Sequence, residues 1–98
     1  MQLHPGQVAE YTRRHNPIWP ELQQVLEAHG VRNYSIFLHP ETLQLFACAE
    51  IESEARWQAI AETPICRKWW SHMRELMVTE PDDRPTSIAL EEVFHLSA

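Results

Sequence analysis

Two apolar runs that alternate with period two, residues 32–39 and 43–51, are separated by the turn signal Pro40-Glu41-Thr42. Successive side chains of a strand point to opposite faces. Tyr34, Ile36 and Leu38 therefore share one face, while Asn33, Ser35 and Phe37 share the other. On the return run Leu43, Leu45, Ala47, Ala49 and Ile51 fall together. This pattern predicts an antiparallel hairpin, against which the rest of the chain must pack. Residues 7–14 predict a short helix with Val8, Tyr11, Thr12 and His15 near one face. Asn16-Pro17 ends it, because the residue before a proline is pushed out of the α region. A second helix is expected over residues 17–29. Pro20 is tolerable in its first turn, Gly30 is placed to stop it, and Trp19, Leu22, Val25 and Leu26 form its apolar stripe. Beyond the hairpin, Ser53 can cap a helix running to residue 62. Thr63-Pro64 opens another over residues 64–77. A polar, proline-bearing loop over 78–87 then leads to an expected last strand at 88–96, where Leu90, Phe94 and Leu96 alternate with Glu91, Val93 and His95.

At the start, Met1-Gln2-Leu3 precedes the turn signal His4-Pro5-Gly6. Three residues are short for a strand, so the first strand is either a stub or truncated, with the true start upstream. Strand, helices, hairpin, helices, strand is the order of a ferredoxin-like βαββαβ subunit in the α+β class. The expectation is one domain over residues 1–98, an antiparallel four-stranded sheet with helices on one face. The other face carries Phe37 and Phe46, and a chain of 98 residues has no second layer to cover it. Face-to-face association of two copies into a dimeric α+β barrel is therefore expected.

A net charge of −6 argues against nonspecific binding to nucleic acid or anionic lipid. No apolar run approaches membrane-spanning length, and the N-terminus lacks a signal-peptide pattern. Cys48 and Cys66 are too few for a disulfide framework, which suits a reduced cytoplasmic protein. Only two glycines leave no room for a Gly-rich phosphate loop. The six histidines show no H-x-H or H-x-x-x-H spacing, so no metal site is expected. Nucleophile-elbow, Walker and dinucleotide fingerprints are missing too.

What stands out chemically is Tyr11-Thr12-Arg13-Arg14-His15-Asn16-Pro17-Ile18-Trp19-Pro20-Glu21-Leu22. The i, i+4 spacing puts Tyr11 and His15 on one helix face. His15 then sits at a helix end, next to a kink. Spacing allows two readings: a histidine that suits the negative end of the helix dipole, or one that passes protons near neutral pH. Trp69 and Trp70 point about 100° apart on a helix. They are either core residues or the walls of a pocket for the apolar face of a sugar.

These segments resemble the L-rhamnose mutarotase family. The likeness rests on residues 11–22, on Asn33-Tyr34-Ser35-Ile36, on Glu50-Ile51-Glu52-Ser53-Glu54, on Cys66-Arg67-Lys68-Trp69-Trp70 and on Glu91-Glu92-Val93-Phe94. It covers essentially the full chain. It departs at the first strand, where family members carry several more residues. The resemblance implies a dimeric barrel of ferredoxin-like subunits that interconverts the α and β anomers of L-rhamnose without a cofactor. It implies that His15 is the proton donor and that Tyr11, Tyr34, Trp69 and Trp70 contact the sugar. Two rival expectations share the fold: a cofactor-free monooxygenase acting on aromatic substrates, and a non-catalytic sugar-binding dimer.

Overall fold

The computed structural model describes residues 1–98. Its elements are α1 (Val8–His15), α2 (Pro20–Ala28), β1 (Arg32–Leu38), β2 (Leu45–Glu50), α3 (Glu54–Ile60), α4 (Pro64–Met73) and a 3-10 turn (Arg74–Leu76). Asn16, with φ −133° and ψ 88°, leaves the helical region ahead of Pro17 and separates α1 from α2. Residues 17–19 stay outside α2, which starts with Pro20 in its first turn. Ser53 caps α3 as expected, its hydroxyl accepting the Arg56 N–H at 3.1 Å. Pro64 opens α4. That helix stops at Met73 rather than 77, because the chain tightens into the 3-10 turn and becomes extended at Met77.

The hairpin forms with Ile36 opposite Ala47, Phe37 opposite Phe46 and Leu38 opposite Leu45. Leu45 is buried and Ile36 half-buried, whereas Phe37 and Phe46 face outward and are exposed. The face assignment read from the alternation therefore stands. The expected four-stranded sheet does not form within the chain: β1 and β2 make a two-stranded sheet, flanked by single bridges from Gln2 to Gln44 and from Leu3 to Met77. Residues 88–96, expected as the last strand, form no strand. The position beside the N-terminal stub is already held by residues 76–78, where the His4 N–H donates to the Leu76 carbonyl and the Val78 N–H to the Gln2 carbonyl, both at 2.9 Å. Ile88, Leu90, Val93, Phe94 and Leu96 are left exposed.

The main core joins Leu3 and Leu45 to Tyr11 and Leu22 from the first two helices, and to Trp69, Met73, Leu76 and Met77. Ile36 and Leu38 pack against it from the inner sheet face. A smaller cluster of Val31, Ile60 and Cys66 closes the far end. No helix is long and apolar enough to cross a membrane.

Candidate active site

Between the helices and the inner face of the hairpin lies a cavity of about 1100 Å³, and Tyr11, His15, Tyr34, Trp69 and Trp70 all line it. Five residues chosen from three separate stretches of sequence thus meet in one space. Small-molecule sites favour such mainly apolar clefts with a few polar groups.

His15 is the last residue of α1. Its ring Nδ1 lies 2.8 Å from the Tyr11 carbonyl oxygen, one turn back. A carbonyl only accepts, so Nδ1 carries the proton and Nε2 is left with its lone pair. Burial lowers the imidazole pKa below its ordinary value, partly offset by that hydrogen bond. The resting ring is therefore neutral at pH 7. Tyr11 stacks on it at 4.4 Å between centroids, and Trp69 meets it edge-on at 5.1 Å and 89°.

The end of α1 is held by Arg14. Its guanidinium donates to Glu10, to the His72 carbonyl and to Glu75, each at 2.6 Å. These bonds fasten α1 to the close of α4, which fixes His15 relative to Trp69. Arg13 lies against Glu10 as well, and the two guanidiniums hold the Glu10 carboxyl down to about 2. The arginines are thus structural neighbours of the site. Glu52 likewise pairs with Arg56 at the hairpin's exit.

The two tryptophans play different parts. Trp69 is buried and wedged between His15 and Trp19, whose ring it meets at 5.0 Å. Trp70 is half-buried, with the guanidiniums of Arg67 and Arg84 at 5.3 and 5.2 Å from its ring centre. Tyr34 reaches the cavity from β1 and packs on Trp57 of α3 at 5.9 Å. Burial raises both phenols, Tyr11 well above the tyrosine range, and the Tyr34 phenol adds to the Tyr11 effect. Both stay protonated, able to donate and accept hydrogen bonds at neutral pH. Burial also pushes the Cys66 thiol up to about 11, so it is a poor nucleophile.

Sequence reasoning missed Trp57, Cys66 and Arg84 as cavity residues. Trp57 stands three residues from Ile60 on α3, so an apolar i, i+3 pair was there to be read. Arg84 comes from a polar loop and gave no such signal. No three His, Cys, Asp or Glu side chains gather in a metal-binding group.

A family profile described as L-rhamnose mutarotase matches residues 1–96. An L-rhamnose mutarotase of Opitutus terrae is 62% identical over 96 residues, covering 98% of this chain and 92% of that protein. One from Klebsiella pneumoniae is 55% identical over 97 residues, covering 99% and 93%. The crystal structure of an L-rhamnose mutarotase from Formosa agariphila superposes with a TM-score of 0.90 at 42% identity, covering 99% of this chain and 93% of that one. With a profile match over nearly its full length and relatives this similar, the chain belongs to the L-rhamnose mutarotase family.

Proposed function

We propose that this isomerase interconverts the α and β anomers of L-rhamnose in the cavity between helices and hairpin, with His15 carrying the proton and Tyr11, Tyr34, Trp69 and Trp70 holding the sugar. The observation that carries the assignment is the meeting of His15 and the four aromatic residues around one cavity. A pyranose is a cyclic hemiacetal, so changing its anomer requires opening the ring to the aldehyde. Opening removes the proton of the anomeric hydroxyl, breaks the bond between C1 and the ring oxygen, and adds a proton to that oxygen. His15 is the general acid that protonates the ring oxygen. Because the resting imidazole is neutral, Nε2 must first be loaded, and the anomeric hydroxyl supplies that proton directly or through the Tyr11 phenol. Rotation about C1–C2 and reclosure on the other carbonyl face run the transfers in reverse. Proton count and electron count are conserved, and the chemistry draws on no cofactor.

The rings divide the remaining work. Trp70, half-buried, offers a flat face to the C–H face of the sugar and its C5 methyl. Trp69, which also braces the His15 ring, lines the cavity beside it and holds the sugar together with Trp70. The phenols of Tyr11 and Tyr34 orient hydroxyls. Polarimetry on freshly dissolved crystalline α-L-rhamnose tests this reading: the rotation should relax faster with protein than without. Relaxation at the spontaneous rate would end it, and sugar binding without acceleration would leave a binding module instead.

The working unit in this reading is a homodimer forming the α+β barrel. Only 12 of 98 residues are buried, while Phe37, Phe46 and the apolar side chains of the tail stay exposed. The outer edge of β1 has no neighbour in the sheet order. An unpaired edge and an unpaired, alternating tail suit one another, and the tail of a second copy would supply the pairing this chain cannot make for itself. The free thiols Cys48 and Cys66 suit a reducing cytoplasm.

A further inference from the structure

The pairing of β1 with β2 is irregular at one place. Arg32 lies opposite Glu50, and the next partnered residue, Ser35, lies opposite Cys48. Three steps along β1 therefore match two along β2, which is a β-bulge with one extra residue. Asn33 stands inside it at φ +49°, the left-handed region.

A bulge here has a definite consequence for side-chain direction. Residues directly opposite one another share a sheet face. Glu50, Cys48 and Phe46 alternate onto the outer face of β2, so Arg32 faces outward too. In a regular ladder continued from Arg32, Tyr34 would fall opposite Cys48 and point outward. The extra residue shifts the phase. Ser35 takes the place opposite Cys48, and Tyr34 joins Ile36 and Leu38 on the inner side, where it lines the cavity and meets Trp57.

We propose that Asn33 is a positioning residue whose left-handed backbone creates the bulge that turns Tyr34 into the cavity. Asparagine is several-fold enriched at positive φ among residues other than glycine, whereas a β-branched residue there is a genuine outlier. The Asn33 side chain itself is exposed. What the site needs from this position is a backbone conformation, and glycine supplies it equally well. The consequence for sugar binding rests on Tyr34 being a sugar contact.

The test compares Asn33→Gly, Asn33→Ala and Asn33→Val by two readouts. One is the ring-to-ring NOE between Tyr34 and Trp57 without sugar; the other is the KM for L-rhamnose. Asn33→Gly should keep both. Asn33→Val should lose the NOE and raise KM by about tenfold, with Asn33→Ala between them. Should the valine variant fail to fold, the alanine–glycine comparison still decides. In a Tyr34→Ala background, Asn33→Val should add no further rise in KM, a non-additivity that a general weakening of the fold would not produce. An NOE retained in Asn33→Val, a glycine variant as impaired as the valine one, or an undiminished effect in the Tyr34→Ala background would each overturn the proposal. An NOE lost in Asn33→Val with KM unchanged would uphold the positioning role and remove Tyr34 from the sugar contacts.

Discussion

At the scale of single residues, the site depends on which nitrogen of His15 holds the proton. The Tyr11 carbonyl occupies Nδ1, so in the proposed mechanism Nε2 is the nitrogen left to exchange a proton with the sugar. His15→Ala should lower kcat by about 10²–10⁴-fold, the usual contribution of a positioned acid–base group, with circular dichroism unchanged. Because the folded pKa lies below the ordinary 6.5, the native state binds fewer protons than the unfolded chain between those two values. The stability contribution of His15 is therefore fully present above 6.5 and is lost as pH falls toward the folded pKa. Activity should fall in the same direction once the ring charges before sugar binds. A pH series of the catalysed rate, with urea midpoints alongside, checks both slopes; a rate that rises on acidification would contradict the neutral resting ring. Trp70→Ala should raise KM by about tenfold and leave the pH profile in place, since it removes binding shared by ground and transition states. His15, Tyr11 and the tryptophan pair were legible because helical spacing, a following proline and family-like motifs all pointed to them. Asn33 gave no usable sign of a bulge, since positive φ at an asparagine depends on how both ends of a hairpin are pinned. Arg84 was equally silent, because only long-range folding brings its loop over Trp70.

At the scale of elements, punctuation was the readable part. Proline after Asn16, Ser53 before α3 and Pro64 at the head of α4 each act through local backbone chemistry, and each fell where the sequence put it. The end of α4 was not readable, because a long-range partner ends it: Leu3 draws Met77 into an extended bridge. Gly30 is the most exacting of the helix ends. It closes α2 at φ +80°, and an added Cβ would lie 2.6 Å from the Glu52 side chain, which is engaged with Arg56. Gly30→Ala carries a left-handed penalty of about 1–2 kcal/mol besides displacing Glu52. Its thermal midpoint should drop by roughly 5–10 °C, with anomerisation by the folded protein retained. An unchanged midpoint would mean that α2 can end in another way.

At the scale of the whole molecule, the hairpin between two pairs of helices came in the expected order, while the expected terminal strands and the four-stranded sheet did not form. Alternation in residues 88–96 marks a strand former, yet periodicity cannot say which edge it pairs with. Within the chain the inner edge is occupied by residues 76–78, and the apolar tail is left in solvent. Sedimentation at micromolar concentration should therefore show a dimer. The double variant Phe94→Asp, Leu96→Asp should shift it to monomer, because carboxylates placed on the tail cannot be buried against a second copy. A monomeric parent protein would remove the barrel. Saturation transfer between the two anomeric protons of L-rhamnose at neutral pH addresses the sugar and the histidine at once. Exchange should be faster with the protein and return to the spontaneous rate with folded His15→Ala. Exchange unaltered by the protein, or undiminished in the alanine variant, would rule out anomerisation through His15.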